Sequence, residues 1–154
     1  MTVSVSPELS TELSTDRDGA VAPTNYVLDS FAVLALFQRE PAGWAVREIL
    51  MEAIADRCAV SMSVINLGEV LYLTERRRGA ETAGAAMACV EQLPIQIVDA
   101  DRAGVLRAAR VKANYRVSYA DAFAVALARE LDATVVTGDP EFRRVEEIVP
   151  ICWL

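Results

Sequence analysis

The feature that most constrains this chain is the alternation of short apolar runs with longer stretches of helical periodicity. NYVLD runs straight into SFAVLALFQ, and CAVSMS leads into a helix from about Val64 to Arg78. IQIVDA precedes DRAGVLRAARVKAN and SYADAFAVALARELD; ATVVTGD precedes a short helix, PEFRRV, and the terminal strand in IVPICWL. Pro41 opens another helix, PAGWAVREILMEAIADR, with Trp44, Ile49 and Ile54 as its expected core face. Gly79 separates the Val64–Arg78 helix from one through AETAGAAMACVEQL. Strands this short and apolar are buried on both faces, so the pattern predicts an α/β fold with an open, mostly parallel sheet covered by helices on either side. Ligands of such sheets bind beyond the carboxyl ends of the strands, near the point where strand order reverses.

With 154 residues, 53% of them apolar, the chain is long enough for one domain with a real core. Residues 1–24 are rich in Ser, Thr, Asp and Glu and predict a mobile tail, with the folded domain at 25–154. The start has no basic n-region or apolar h-region, and no apolar run reaches the roughly 18 residues of a membrane span, so a cytoplasmic protein is expected. Cys58, Cys89 and Cys152 are odd in number and far apart; the expectation is buried free thiols in a reducing compartment.

What is missing narrows the chemistry. There is no histidine, which excludes Ser-His-Asp and Cys-His nucleophile systems and His-ligated zinc. The single lysine, Lys112, lies outside any Gly-rich loop, so there is no P-loop, and a receiver or haloacid-dehalogenase-like phosphatase lacks its lysine. Catalysis has to run on carboxylates, hydroxyls, arginines and bound metal.

Four carboxylates fall where the sheet rule places a ligand. Asp29 follows the strand YVL, and Asp139 follows TVVTG. Asp121 occupies the first turn of a helix, and Glu69 interrupts the apolar stretch SVINLGEVLYL. Each has a structural alternative. Asp29 and Asp139 can cap the helices that follow, Asp139 with Pro140 at N1. Ser118 and Asp121 form a capping-box pair, and Glu69 can be a lone exposed acid. Capping and ligation are compatible, because a carboxylate has several lone-pair sites. Four acids at one rim would repel one another without a cation, and oxygen-only ligands suit Mg²⁺ or Mn²⁺.

The blocks NYVLDSFAVLALF, SVINLGEVLY and SYADAFAVALARELDATVVTGDPEF resemble the PIN-domain ribonucleases, especially VapC-type toxins of toxin–antitoxin pairs, from Asn25 to the C-terminus. The resemblance implies a three-layer α/β/α fold with parallel strand order 3-2-1-4-5. It places the family's acidic residues on Asp29, Glu69, Asp121 and Asp139 and its small hydroxyl residue on Thr137. It also implies a homodimer and a cognate antitoxin, whose arginine, inserted among the acids, would mimic a metal's charge. The expected activity is metal-dependent endoribonucleolysis, with one or two Mg²⁺ or Mn²⁺ ions among the four carboxylates and in-line attack by water leaving 5′-phosphate and 3′-hydroxyl ends. Ser30 and Thr137 are expected to orient a neighbouring carboxylate or water. The alternatives are a PIN-like nuclease of RNA processing or decay, and a catalytically silent PIN-like interaction module.

Arg76, Arg77 and Arg78 are candidate RNA contacts, equally read as cations favoured at a helix C-terminus. Tyr115 and Arg116 are weaker candidates, and Arg143 and Arg144 read as solvated surface. A net charge of −7 runs against a nucleic-acid enzyme. Residues 1–25, however, carry four acids and one arginine; of the other 18 acids four are the candidate ligands, leaving 14 against 14 basic residues.

Overall fold

A computed structural model describes residues 24–154. The expected tail, apart from Thr24, lies outside the described residues. Thr24 itself opens the first strand, one residue ahead of the expected domain start.

The elements follow the alternation read from the sequence. β1 (Thr24–Leu28) passes through Asp29 into α1 (Ser30–Gln38), followed by α2 (Pro41–Ile54), β2 (Cys58–Ser63), α3 (Val64–Arg78) and α4 (Ala80–Val90). Then come β3 (Gln96–Val98), α5 (Arg102–Asn114), α6 (Tyr119–Glu130), β4 (Thr134–Thr137), a 3-10 turn (Pro140–Val145) and β5 (Ile151–Trp153). All pairings are parallel, and the strand order is β3-β2-β1-β4-β5, as the family resemblance implied.

Alternation along the central strands builds two cores. Val27 and Val135 join Ala108, Val111, Phe123 and Val125 on the α5–α6 side. Leu28 and Val136, one residue on, join Ala32, Val33, Val46, Met62 and Val70 on the α1–α4 side. A side-chain period of two, apolar on both faces, is the reason these strands read as continuous runs. β1 pairs with β2 on one side and β4 on the other, so chain direction through the sheet reverses at the β1–β4 neighbours.

Two expectations are corrected. The buried residues of α2 are Gly43, Val46 and Leu50, whereas Trp44 and Ile54 are 68% and 63% exposed and Ile49 is half-buried. The helix docks through its smallest residue: a Cβ on Gly43 would lie 2.5 Å from the carbonyl oxygen of Ala35 in α1. Close backbone approach selects the glycine face and turns Trp44 outward. The cysteines are free, as expected, but not buried: Cys58 and Cys152 are half-buried in β2 and β5, and Cys89 is exposed on α4. Cys58 and Cys152 both line an open cavity beside α2, which leaves their thiols partly accessible. No described helix is long and apolar enough to cross a membrane.

Candidate functional site

Asp29 sits where β1 ends at the reversal point. Its backbone is extended (φ −86°, ψ −179°), which lets Oδ1 accept from the Ala32 N–H at 2.9 Å and cap α1. Oδ2 accepts from the Thr137 hydroxyl at 2.5 Å. Asp29 is 2% exposed. Burial pushes its carboxyl up to about 7; the hydrogen bonds from Thr137 and Ala32 oppose the rise, and the charges of Asp121 and Asp139 add to it.

Thr137, fully buried at the end of β4, ties two carboxylate residues together, because its oxygen also accepts from the Asp139 N–H at 3.0 Å. Asp139 in turn caps the 3-10 turn, with Oδ1 accepting from the Glu141 N–H at 2.9 Å. Between them, Gly138 has no room for a side chain: a Cβ would come within 2.3 Å of the Phe31 ring.

Asp121 reaches the same edge because α6 runs back against the strand direction, returning its first turn to the carboxyl ends. The capping box is complete: the Asp121 N–H donates to Ser118 Oγ at 3.1 Å and the Ser118 N–H to Asp121 Oδ2 at 3.3 Å. Asp121 is 7% exposed, and burial raises its carboxyl to about 6; the Ser118 hydrogen bonds oppose this, while Asp139 and Glu69 add their charge.

Glu69 comes from the second turn of α3. Ser30 donates to its Oε2 at 2.5 Å and Tyr72 to its Oε1 at 3.4 Å. Beneath it lies Asn66, fully buried, whose amide donates to the Ala120 carbonyl at 3.1 Å and to Ser30 Oγ at 3.4 Å. The backbone carbonyl of Asn66, 3.2 Å from Ser30 Oγ, is the alternative acceptor for that one hydroxyl proton. Asn66 therefore joins α1, α3 and the start of α6.

One cavity of about 390 Å³ is lined by Asp29, Glu69, Asp121 and Asp139 together, with Ser30 and Ser118. The structure thus brings all four candidate carboxylates to a single opening, with Thr137 behind Asp29. Among the described residues they are not already drawn into a tight cluster of three or more ligands; Ser30 holds Glu69, and the backbone holds Asp139. The donors are all oxygen, the set that hard divalent cations take.

Of the described arginines, only Arg77 lines this cavity, two turns beyond Glu69 on α3. Arg76 lies over the Tyr72 ring at 5.6 Å, and Arg78 lines a separate groove between α1, α3 and α4. Arg116 is not in the site: it is exposed, and its carbonyl accepts from Arg144 at 2.5 Å. Tyr115 packs against the α5–α6 core instead. Sequence reasoning missed Phe31, Glu40, Asn66 and Glu141. Glu40 and Glu141 look like ordinary acids at helix starts. Asn66 did carry a signal, an amide inside INLGEVL one turn before Glu69.

The PIN-domain family model matches residues 26–148, a span containing all four carboxylates. The chain belongs to the PIN-domain family. Structures with the same fold as this PIN domain include VapBC2 from Rickettsia felis bound to a promoter DNA fragment, at 17% identity over 84% of this chain and 98% of that one (TM-score 0.65). DNA-bound VapBC from Salmonella typhimurium shares 19% identity over 84% of this chain and 97% of that one (TM-score 0.65). VapC20 of Mycobacterium tuberculosis, described as a Sarcin-Ricin loop cleaving toxin, shares 20% over 77% and 92% (TM-score 0.60). No curated protein matches the sequence. At these identities the likeness is one of fold.

Proposed function

We propose that this PIN domain is a metal-dependent endoribonuclease acting as the toxin of a toxin–antitoxin pair. The observation that carries the reading is the meeting of Asp29, Glu69, Asp121 and Asp139, from four separate elements, at one cavity by the strand-order reversal. Buried carboxyls that repel one another are a poor arrangement for stability alone, and a divalent ion relieves them. Bound Mg²⁺ or Mn²⁺ would supply acidification of water and neutralisation of phosphate charge.

The chain's own residues have defined parts in this scheme. Asp29, Glu69, Asp121 and Asp139 would hold one or two ions. Thr137 fixes the rotamer of Asp29 and Ser30 that of Glu69, so the oxygens are oriented before substrate arrives. Arg77 would meet a substrate phosphate, offsetting the acidity around it. The two-component structures among its fold relatives support a cognate antitoxin as partner, and an acidic cavity is complementary to an inserted arginine. A second copy of the chain is the other proposed partner.

The test is cleavage of RNA by the purified protein with Mg²⁺ or Mn²⁺, with EDTA, and by Asp29→Asn, together with induction in a host. Metal-dependent cleavage giving 5′-phosphate ends and growth arrest by the parent alone support the reading. Cleavage without arrest favours RNA processing or decay. Cleavage undiminished in Asp29→Asn or in EDTA overturns the proposed site.

A further inference from the structure

We infer that Phe31 is a stacking platform for the base beside the scissile phosphate. The inference rests on the nuclease reading above and names a residue that would contact its substrate. Phe31 is the one aromatic residue lining the carboxylate cavity among the described residues, two positions after Asp29 and next to Ser30. It is 36% exposed, although its neighbours Ala32, Val33 and Ala35 on α1 are buried. Its position is fixed from behind: the ring packs on Gly138, where a Cβ would fall 2.3 Å from Cε1 and 2.6 Å from Cζ. The glycine of the T-G-D turn therefore seats the ring beside Asp139.

Charge explains why a ring is useful here. The cavity also holds Glu40 and Glu141, and against six carboxylates only Arg77 is cationic among the described lining residues. Phosphates alone gain little in such a place, even with ions bound. A π-face adds affinity through the base, independent of charge and tolerant of sequence, typically about tenfold to a hundredfold per stacked base. The competing explanation is that Phe31 merely covers Gly138 and shields Asp29.

Leucine separates the two, since it fills space but has no π-face. Binding of a fluorescent RNA oligonucleotide, measured by anisotropy with Ca²⁺ replacing Mg²⁺, should weaken about tenfold or more in Phe31→Ala and also in Phe31→Leu, while Phe31→Tyr stays near the parent. A single abasic nucleotide at the flanking position should cost the parent a similar factor and cost Phe31→Leu almost nothing. Recovery of parental affinity by Phe31→Leu, or equal abasic penalties in parent and variant, would overturn the inference. Absence of Mg²⁺-dependent cleavage by the parent would sink the nuclease reading separately, because the affinity comparisons do not need turnover.

Discussion

Replacing Asp29 by Asn should stabilise the metal-free protein at neutral and higher pH, although the residue is buried at the centre of the site. A carboxyl that titrates at about 7 in the folded state, against an ordinary 3.8, makes ionisation there cost about 4 kcal/mol relative to the unfolded chain. The folded state holds the extra proton between pH 4 and 7. Asp29's own contribution to stability therefore is greatest below pH 4 and is lost as pH rises through about 7. Asparagine removes that cost, and its amide oxygen still accepts the Ala32 N–H, since Asn caps helices as well as Asp does. It loses the charge-assisted bond from Thr137, worth roughly 1–2 kcal/mol. The net expectation in EDTA at pH 8 is a gain of about 2–3 kcal/mol, or roughly 6–9 °C in Tm for a chain of this size. At pH 4 the order should reverse by about 1 kcal/mol. Thermal unfolding of parent and variant from pH 4 to 8.5 measures both ends. A variant no more stable than the parent at pH 8, or a difference that ignores pH, would show that Asp29 carries no burial and repulsion penalty.

Four further outcomes are expected. Divalent-ion affinity, read from the thermal shift on adding Mg²⁺ or Mn²⁺, should be at least about tenfold weaker at pH 5.5 than at pH 8, because protons held by Asp29 and Asp121 must be displaced. Thr137→Val should cost about 1–3 kcal/mol by urea unfolding and about ten- to a hundredfold in cleavage, with the acid limb of the pH–rate profile moved upward, since the lost bond was holding the Asp29 carboxyl down. Arg77→Gln should reduce the salt slope of RNA binding by about 0.7, whereas Arg116→Gln should leave it unchanged. Gly43→Ala should destabilise by about 1–3 kcal/mol in the same unfolding assay, because its Cβ meets the α1 backbone at Ala35.

Much of the site was legible because its residues obey local rules. Asp29, Asp121 and Asp139 stand at strand ends and helix starts, positions set by chain-local capping, and their meeting then follows from parallel topology. Glu69 stood out because an acid interrupts an apolar helix. What could not be read depends on how helices rotate against one another. Trp44 looked like the anchor of α2 by size and periodicity, yet the clearance demanded by Ala35 put Gly43 inside. The same kind of information decides that Arg77, and neither Arg76 nor Arg78, turns toward the acids: the three share a helix end and differ only in angle. Phe31 gave no signal, since a phenylalanine in an apolar helix looks the same whether its ring is covered or stays partly in solvent.

Three of the four acids also begin a helix or 3-10 turn, and Glu69 does not. That unequal double duty should shape which inactive forms of the gene can persist. Alleles recovered after selection for harmlessness should tolerate almost any replacement at Glu69. At positions 29, 121 and 139 a replacement also removes a helix-start hydrogen bond, so survivors carrying Ala or Val there should be about 0.5–2 kcal/mol less stable than those carrying Asn, Ser or Thr.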